Sequence, residues 1–478
     1  MDFYIALFVA LLSLSFHTYS SPVSVDSRKT PLMVSHLSSN QIKSLKLNNN
    51  LSYASHHSFY DTPITLADKS GRTIHFKEEL DTNERYTIIS QGETTEAFSM
   101  IWFFSPEGSV QIYSEGVDVC PAENPCKQIT QNLIDGISKE DDTQLLWFAT
   151  GFYELPVIQG QFNQAKLIEF YSKQHVFGRT SDFRHKALNK DRPLFSGTLS
   201  WNAYSGHEGS QNFVENIRVN TDSNYIEVEH FYVDTNLYSA GHLMIRDCVL
   251  NKMGGSNSDN VVAKKVFIEY SDLNAEGEFQ GANIEANEID ITGTRLKMKS
   301  LLGSNIVSEN GSLFVYNSVL SLQAEGCQGT AINMKRMDYA SIVYSKISVN
   351  AEDECPRGGI LSGIEETVDY KTKATRLTGS EIAVSSKYGN AYALVGSKAI
   401  QLDGTALFVK SLQSGVAATN YVERIVFVNN PSYLSIISPE PSIFFQNSNA
   451  VLNHSIPPSL CRINNNDFKD CSLDGALA

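Results

Sequence analysis

One eight-residue phrase recurs eight times between residues 243 and 433 of this chain. Apolar residues occupy its first, third and eighth positions, a turn-forming residue usually takes the fifth, and a small polar residue usually takes the sixth. The copies are Leu243–Leu250, Val266–Leu273, Ile289–Leu296, Leu313–Leu320, Ala340–Ile347, Thr375–Ile382, Ile400–Leu407 and Val426–Tyr433. They begin 23 to 35 residues apart, and alternating strands at such a period are typical of solenoids that stack one coil per repeat. The repeat therefore predicts an all-β solenoid that stacks one coil per repeat.

The fifth position of the phrase supports this interpretation independently. It holds Asp247, Tyr270, Gly293, Asn317, Tyr344, Gly379, Gly404 and Asn430. Six of these eight residues are Asp, Asn or Gly, the types that adopt a left-handed backbone at low cost. A tight left-handed turn between two strands is therefore expected in every coil.

The N-terminal segment and the cysteines have features of an exported protein. Residues 1–20 hold an apolar run that is shorter than the roughly 20 residues needed to span a bilayer, so they are predicted to be a signal peptide. The cysteines fall into pairs with local spacing that suits disulfides in an oxidising compartment, with connectivity left open. The candidates are Cys120 with Cys126, Cys327 with Cys355, and Cys461 with Cys471. Cys248 belongs to none of these pairs and is interpreted as a buried structural thiol.

The composition limits the partners. The formal net charge is −15, which argues against nucleic acid and against anionic membranes as partners. No segment after the leader is long and apolar enough to span a membrane, so the mature chain is expected to be secreted, periplasmic or attached to a cell envelope. No His or Cys cluster has metal-ligand spacing, and no cofactor motif is present.

The order of patterns along the chain predicts four parts. Residues 21–118 contain short alternating runs, including Met100–Phe104, and are predicted to form a small antiparallel β module. Residues 119–440 are assigned to the β-helix, and residues 441–478 to a C-terminal cap or tail. Asn124 and Pro125 are interpreted as the start of an amphipathic helix whose apolar face holds Ile129, Leu133 and Ile137. That helix would cover the open end of the stacked core.

The segment Ala149–Tyr153, which follows the predicted helix and strand, carries a resemblance to a known family. Helix, strand and Gly-x-Tyr turn together resemble the opening of right-handed parallel β-helix proteins of the pectate-lyase-like (pectin lyase fold) superfamily. The repeated Asn, Asp or Gly turn is similar to the tight turn between strands in those proteins. The resemblance covers about 120–440 and implies the fold; it does not select an activity, because this superfamily contains lyases, hydrolases, adhesins and proteins without chemistry.

Motifs for a specific chemistry are missing from the repeats. The polygalacturonase-like and pectin-esterase-like motifs are absent, and the outward positions of the phrase do not stack two carboxylates on adjacent coils. Arg246 and Glu269 are expected to form an ion pair between coils. Whether the protein is an enzyme is therefore left open, and Ca²⁺ would be needed only if it were a lyase.

The candidate ligand-binding residues come from a basic loop and from aromatic residues near it. Residues 173–192 carry six Lys or Arg against two Asp. Guanidinium groups there would bind a carboxylate, sulfate or phosphate, whereas the alternative is a solvated insertion that neutralises acidic neighbours. Aromatic rings nearby, and Tyr270, Tyr316 and Tyr344 in the repeats, would stack on sugar rings or fill the coils. The selected residues are Arg179, Arg184, His185, Arg192, Trp201 and Tyr204.

Three functional hypotheses follow. The first is an exported β-helix protein that binds carbohydrate, such as a polysaccharide or surface glycan, or another surface ligand. The second is a diverged polysaccharide lyase or glycoside hydrolase. The third is a structural, adhesin-like spacer. The identity of the ligand, the oligomeric state and the host are not determined by the sequence.

Overall fold

The computed structural model describes most of the chain from residue 65 onward. The described residues are 65–67, 73–75, 86–90, 93–98, 100–114, 119–138, 144–159, 164–171, 174–183, 185–201, 211–222, 226–228, 231–255, 259–351, 360–366, 374–397, 399–412, 416–439, 444–446, 448, 450–452, 460–463 and 469–470. The predicted leader, Arg184, Tyr204, Cys355 and Cys471 lie outside this set, as does the side chain of Cys327.

Four strands near the N-terminus form an antiparallel sheet in the order β2-β1-β3-β4. They are β1 (Thr65–Ala67), β2 (Thr73–His75), β3 (Tyr86–Ser90) and β4 (Glu93–Phe98). An antiparallel module was predicted here from alternating runs. Its boundary differs, because residues 100–104 were included in the module and instead belong to the solenoid.

Most of the remaining strands build a parallel β-solenoid of the right-handed type, with about ten turns from residue 144 on. The strands Ile226–Val228 and Phe231–Val233 instead form a separate two-stranded antiparallel sheet. The first half of the elements comprises β5 (Met100–Ser109), α1 (Gln131–Ile137), β6 (Gln144–Ala149), β7 (Phe152–Glu154), β8 (Val157–Gln159), β9 (Gln164–Phe170), β10 (Gln174–Arg179), a 3-10 helix (Asn189–Asp191), β11 (Leu194–Ser196), β12 (Thr198–Trp201), β13 (Gln211–Glu215), β14 (Arg218–Thr221), β15 (Ile226–Val228), β16 (Phe231–Val233), β17 (Thr235–Arg246), β18 (Val249–Met253), β19 (Asp259–Glu269), β20 (Asp272–Glu276) and β21 (Gln280–Thr292). The second half comprises β22 (Arg295–Glu309), β23 (Ser312–Tyr316), β24 (Val319–Lys335), β25 (Tyr339–Val343), β26 (Lys346–Ala351), β27 (Ile360–Glu366), β28 (Ala374–Thr378), β29 (Glu381–Ser386), β30 (Asn390–Ser397), β31 (Ile400–Asp403), β32 (Ala406–Ser411), β33 (Val416–Val422), β34 (Ile425–Phe427), β35 (Tyr433–Ile437), β36 (Phe445–Gln446), β37 (Ala450–Leu452), β38 (Leu460–Ile463) and β39 (Lys469–Asp470).

The strand pairings divide the coils among three parallel sheets, which we call A, B and C. Sheet A contains β5, β6, β10, β13, the second halves of β17, β19 and β21, then β23, β25, β28, β31, β34 and β37. Sheet B contains β7, β11, β14, β18, β20, the first halves of β22 and β24, then β26, β29, β32, β35 and β38. Sheet C contains β9, β12, the first halves of β17, β19 and β21, the second halves of β22 and β24, then β27, β30, β33 and β36. The predicted inward positions of the first seven copies form one continuous core, as the sequence predicted. In the last copy the prediction is wrong by one residue, because Ile425 and Phe427 face the core in place of Val426 and Val428.

The turn between sheets A and B confirms the left-handed residue expected in each coil. Seven of the eight fifth positions have φ between 49° and 59°, and in the last copy the left-handed residue is Asn429 instead of Asn430. The turn residue donates its N–H to a carbonyl of the next coil, as in Asp247 to Glu269 at 3.1 Å and Tyr270 to Thr292 at 3.0 Å. The turn is therefore part of the stacking between coils.

Small polar residues after this turn form a ladder through the core. The hydroxyl of Ser271 accepts the Cys248 N–H at 3.1 Å, and the hydroxyl of Ser318 accepts the Thr294 N–H at 3.1 Å. The Cys248 thiol contacts the Arg246 carbonyl at 3.2 Å and is buried, which confirms it as a structural thiol; burial raises the pKa of that thiol to about 12. In sheet C a second ladder stacks buried amides, Asn236 on Asn260, Asn283 and Asn305.

Backbone geometry at this turn yields a prediction for Gly379. Its φ is +57°, and an added Cβ would lie 2.5 Å from a ring carbon of Tyr344. We expect Gly379→Ala to lower the free energy of unfolding by about 1–2 kcal/mol, because a Cβ is unfavourable in this backbone region. Asn317→Gly, at the equivalent turn with φ 49°, is the matched control and should lower the stability by less than Gly379→Ala does. Urea unfolding followed by circular dichroism measures both; equal losses would contradict the expectation.

The predicted capping helix is present but begins later than the sequence indicated. α1 starts at Gln131, and the Thr130 hydroxyl accepts the Leu133 N–H as the N-cap. The segment 124–127 is extended instead, because Ser109 donates its N–H to the Pro125 carbonyl and the disulfide between Cys120 and Cys126 closes this loop. α1 buries Leu133, Ile134 and Ile137 in the core of the solenoid. That it covers the open end of the stack stays a prediction.

Boundaries of the solenoid differ from the prediction at both ends. β5 pairs in parallel with β6 and is the first strand of sheet A. At the other end β36, β37 and β38 stack in parallel on β33, β34 and β35, so the coils continue past residue 440 into the predicted tail. Cys461 in β38 is disulfide-bonded.

Candidate functional site

The outer surface of sheet A carries two straight rows of side chains, one residue per coil. The first outer row is Phe177, Glu215, Arg246, Glu269, Thr292, Tyr316 and Val343. The second outer row is His175, Phe213, Met244, Phe267, Asp290, Phe314 and Ser341. Neighbouring coils are about 4.8 Å apart, so each row presents a periodic surface parallel to the solenoid axis.

Four rings cluster where these rows pass the middle of the solenoid. Phe314 and Tyr339 have ring centroids 5.8 Å apart, and Tyr316 and Tyr344 have centroids 6.1 Å apart in an edge-to-face arrangement. Tyr316 is 44 % exposed, and the other three are half-buried. We call Phe314, Tyr316, Tyr339 and Tyr344 the aromatic patch. Exposed rings with phenol groups are the surfaces on which apolar faces of sugars stack.

Local backbone geometry positions the rings at the edge of the patch. Tyr344 is left-handed with φ 49°, and its ring covers Gly379 of the next coil, where no side chain competes for the space. Tyr270 covers Gly293 in the same way. A tyrosine that is followed one coil later by a glycine at the same turn position could therefore have been recognised in the sequence as a sign of a ring that covers the turn. Of the three repeat tyrosines considered for sugar stacking, Tyr316 and Tyr344 are brought into one cluster.

The basic loop covers the outer surface of sheet A at its N-terminal end. Arg179 is 1 % exposed, and its guanidinium carbon lies 4.9 Å from the Trp147 ring centroid and 5.0 Å from that of Phe177. Phe183 of the loop packs on Phe103 with centroids 5.0 Å apart. The Arg179 guanidinium is therefore buried between aromatic rings, and burial lowers its pKa to about 10.

An ion network holds this loop in place. Lys186 forms an ion pair with the buried Glu215. Burial opposes ionisation of Glu215, but the charges of Lys186, Arg179 and Arg246 outweigh it and lower the pKa of Glu215 to about 2. Arg246 also pairs with Glu269 at 2.6 Å, which confirms the ion pair predicted between these coils. Lys186 of the basic loop thus neutralises one acidic neighbour, Glu215, whereas Arg179 is buried and is not part of a solvated insertion.

Only part of the predicted ligand-binding set can be located. His185 and Arg192 belong to the loop and are half-buried. The His185 Nδ1 and Arg192 Nε atoms have no hydrogen-bond partner among the described residues. Arg184 and Tyr204 fall outside those residues. Binding of a ligand by Arg179, His185 and Arg192 stays a prediction.

Trp201 requires a correction. It is fully buried in sheet C, its indole Nε1 donates to the Gln174 carbonyl at 2.9 Å, and its ring lies 5.1 Å from that of Phe170. A sugar cannot reach this ring, so Trp201 is removed from the candidate ligand-binding residues. The physical reason is its position in β12, where the side chain points into the coil.

Sequence reasoning missed an acidic group at the edge between sheets B and C. Lys252 occupies an inward position in sheet B, and its Nζ pairs with Asp234 at 2.7 Å and donates to the Asp222 carbonyl at 3.0 Å. Asp259, on the neighbouring coil, accepts the Ala282 N–H at 2.6 Å. Burial and the charges of Glu285 and Asp234 raise the pKa of Asp259 to about 7, against the opposing charge of Lys252. These residues lie outside the repeated eight-residue motif of sheets A and B, so the repeat gave no signal for them.

The raised pKa of Asp259 predicts a pH-dependent stability. The unfolded carboxyl ionises near 3.8 and the folded one only near 7, so between these values the folded state binds the extra proton. This contribution to the free energy of unfolding therefore falls as pH rises from about 4 to about 7. We expect Asp259→Asn to raise the melting temperature at pH 8 and to leave it nearly unchanged at pH 4. Glu123→Gln, at an exposed position, is the control; a gain at pH 4 as large as that at pH 8 would contradict the assignment.

The described residues set limits on other chemistry. None of their His, Cys, Asp and Glu side chains form a group of three or more that could hold a metal ion. No helix in the described part of the chain is both long and apolar enough to cross a membrane.

On sheet C, Glu365 accepts hydrogen bonds from Thr330 at 2.8 Å and Ser362 at 3.1 Å, which orients one carboxylate on the outer surface.

Comparisons with known proteins add little to this geometry. No protein-family model matches the chain, and no curated protein matches it. Among solved structures, the family 28 exopolygalacturonase of Yersinia enterocolitica is similar, with 8% sequence identity, 86% of this chain and 94% of that chain covered, and a TM-score of 0.24. A TM-score this low supports no conclusion about the function of this chain. The strand register alone confirms the parallel β-helix that the sequence resemblance implied.

Proposed function

We propose that this protein binds carbohydrate along the outer surface of sheet A, with the aromatic patch as the principal contact. The observation that carries the proposal is the exposure of Tyr316 within a cluster of four rings on a flat parallel sheet. Asp290 and Thr292 flank the rings in the same two rows and offer hydrogen-bonding groups for sugar hydroxyls. Exposed aromatic rings beside polar groups are a combination suited to pyranoses.

The regular spacing of the rows favours a chain over a single sugar. Coils repeat about every 4.8 Å along the axis, which is close to the length of one sugar unit in an extended polysaccharide. Export fits this role, and the disulfide between Cys120 and Cys126 supports an oxidising compartment. The net charge of −15 favours neutral or locally cation-matched glycans over strongly anionic polymers on this surface.

Glycan binding by the full chain tests the proposal. We expect at least one polysaccharide of a neutral and acidic panel to bind, and Tyr316→Ala to weaken that binding by roughly tenfold. Tyr421→Ala is the matched control, because Tyr421 is 58 % exposed on sheet C, away from the patch. The proposal fails if no glycan binds, or if both variants weaken binding equally.

A second candidate function is polysaccharide cleavage, favoured by the proton that Asp259 retains to a pH of about 7 beside Lys252 and Glu285. Calcium would be required only in a lyase mechanism. Reducing-sugar and unsaturated-product assays, with and without calcium, measure it directly. Activity that disappears in Asp259→Asn would support cleavage, and silence across the panel would leave the binding role, or a rigid spacer, as the function.

A further inference from the structure

A glycosylation sequon lies in the turn that joins sheet C to sheet A in the middle of the solenoid. It consists of Asn310, Gly311 and Ser312 and follows the pattern Asn-x-Ser/Thr, in which x is any residue except proline. The same pattern occurs at Asn50 and Asn453, which lie outside the described residues. The geometry of the turn at Asn310 therefore decides whether the described part of the chain offers a site for this modification.

The neighbouring coils fix the backbone of this turn. Asn310 has a left-handed φ of 58°, which asparagine adopts more readily than most residues, and its N–H donates to the Lys335 carbonyl at 2.9 Å. The Gly311 carbonyl accepts the Asp338 N–H at 2.8 Å, and an added Cβ on Gly311 would lie 2.2 Å from the Asn287 carbonyl oxygen. Gly311 is buried, whereas Asn310 is exposed. The turn therefore holds Asn310 at the surface while the next residue packs against the solenoid.

The two side chains that the modification requires are not used by the fold. Neither the exposed Asn310 amide nor the half-buried Ser312 hydroxyl makes a hydrogen bond within the described part of the chain. Other asparagines of the solenoid differ, because the amides of Asn283 and Asn305 are buried and bond to each other at 2.8 Å. A sugar attached to the Asn310 amide nitrogen would therefore extend into solvent and displace no internal contact.

The disulfides point to the compartment in which this modification takes place. Cys120 and Cys126 form one disulfide, and Cys461 is also disulfide-bonded. Disulfides form and persist in the lumen of the endoplasmic reticulum and outside the cell. Asparagine in the pattern Asn-x-Ser/Thr is glycosylated on proteins that pass through the same secretory route.

We propose that Asn310 carries an N-linked glycan in the exported protein. The donor is an oligosaccharide joined through pyrophosphate to a lipid. The amide nitrogen of Asn310 forms a bond to C1 of the first sugar, the bond from that carbon to the pyrophosphate breaks, and the lipid pyrophosphate leaves while the amide loses one proton. Ser312 supplies the hydroxyl that the sequon requires.

This site lies at the border of the aromatic patch but does not depend on ligand binding there. Ser312 begins β23 and pairs in register with Tyr339, and Tyr316 ends the same strand. At a rise of about 3.3 Å per residue, Ser312 and Tyr316 are roughly 13 Å apart along the strand. The N-linked glycan therefore flanks one end of the patch and leaves the other end open.

Peptide mass spectrometry of the secreted full chain tests the proposal. The chain is expressed with its own leader in a eukaryotic secretory host and recovered from the medium. Digestion after Lys and Arg places Asn310 on the peptide 300–335, apart from the other two sequons. An amidase that releases N-linked glycans, acting in heavy-oxygen water, converts a glycosylated asparagine into a labelled aspartate. We expect at least about half of this peptide to become labelled. A sample incubated without the amidase measures spontaneous deamidation at Asn310.

Two substitutions of Ser312 separate the sequon from the asparagine itself. Ser312→Ala should reduce the labelled fraction to less than about one tenth of its original value, whereas Ser312→Thr should retain it. Asn287 is the internal control, because it is exposed at the same corner of the preceding coil but is followed by Glu288 and Ile289. It should remain unlabelled, and Tyr316→Ala should leave the label at Asn310 unchanged.

Three results would overturn the proposal. They are failure of the full chain to reach the medium, an unmodified Asn310 in the secreted chain, and a label that persists in Ser312→Ala. Circular dichroism and thermal melting of the Ser312 variants show whether each is folded, so a loss of label is not confused with a loss of structure.

Discussion

Replacing Lys252 with methionine is expected to lower the free energy of unfolding by about 3–5 kcal/mol, although methionine is more apolar and the position faces the core. Register places Ala275 and Met298 above it in the same inward row of sheet B, so the methionine would fit among its neighbours. The cost arises at Asp234, whose side chain is only 8 % exposed and would lose its ion pair with Lys252 at 2.7 Å. Removing one member of a buried ion pair is strongly unfavourable.

A second variant separates charge from packing. The double variant Lys252→Met with Asp234→Asn should recover more than half of the loss, because an amide carries no charge that must be compensated. Lys265→Met is the matched control, since Lys265 pairs with Glu288 at 2.6 Å on the surface, where such pairs contribute about 0–1 kcal/mol. Urea unfolding followed by circular dichroism measures all three, and equal costs for Lys252→Met and Lys265→Met would show that the buried pair has no special role.

Trp201→Ala is expected to cost about 3–5 kcal/mol of stability and to leave glycan affinity of the folded protein unchanged. The variant removes the largest side chain of β12 from a fully buried site and leaves the Gln174 carbonyl without its donor. A cavity beside Phe170 would remain, because stacked coils relax only partly around a lost ring.

Thermal and chemical unfolding measure this loss, with Phe152→Ala as the exposed counterpart. Phe152 is 56 % exposed, so its truncation should change stability by less than about 0.5 kcal/mol. A Trp201→Ala protein that kept its stability but lost glycan binding would place the indole at a surface and refute the assignment to the core.

Local signals predicted the repeating part of the fold correctly. The apolar ladder and the left-handed turn depend on residues that are close in sequence, and seven of eight turn residues, from Asp247 to Gly404, have the expected backbone. The ion pair between Arg246 and Glu269 followed from the same register, because the repeat period sets which residues stack. Prediction was weaker at the ends: Asn124 and Pro125 have helix-start chemistry, but hydrogen bonds to β5 hold that segment extended.

The candidate sites depended on contacts that no periodic pattern contains. Arg179, chosen as an exposed donor, is covered by its own loop and lies between Trp147 and Phe177. Lys252 occupies an inward position of sheet B, where an apolar residue is expected. Only the fold shows that its amine reaches Asp234.

The amino-acid sequence by itself determined the coil: its strand alternation, its left-handed turn and its inward ladder, because these arise from backbone preferences and burial repeated at one period. Only the tertiary structure decided which outward residues stay exposed and which charges are buried. Tyr316 is open and Arg179 is enclosed, although both are outward-facing residues of sheet A, because exposure depends on which side chains and loops pack over each coil.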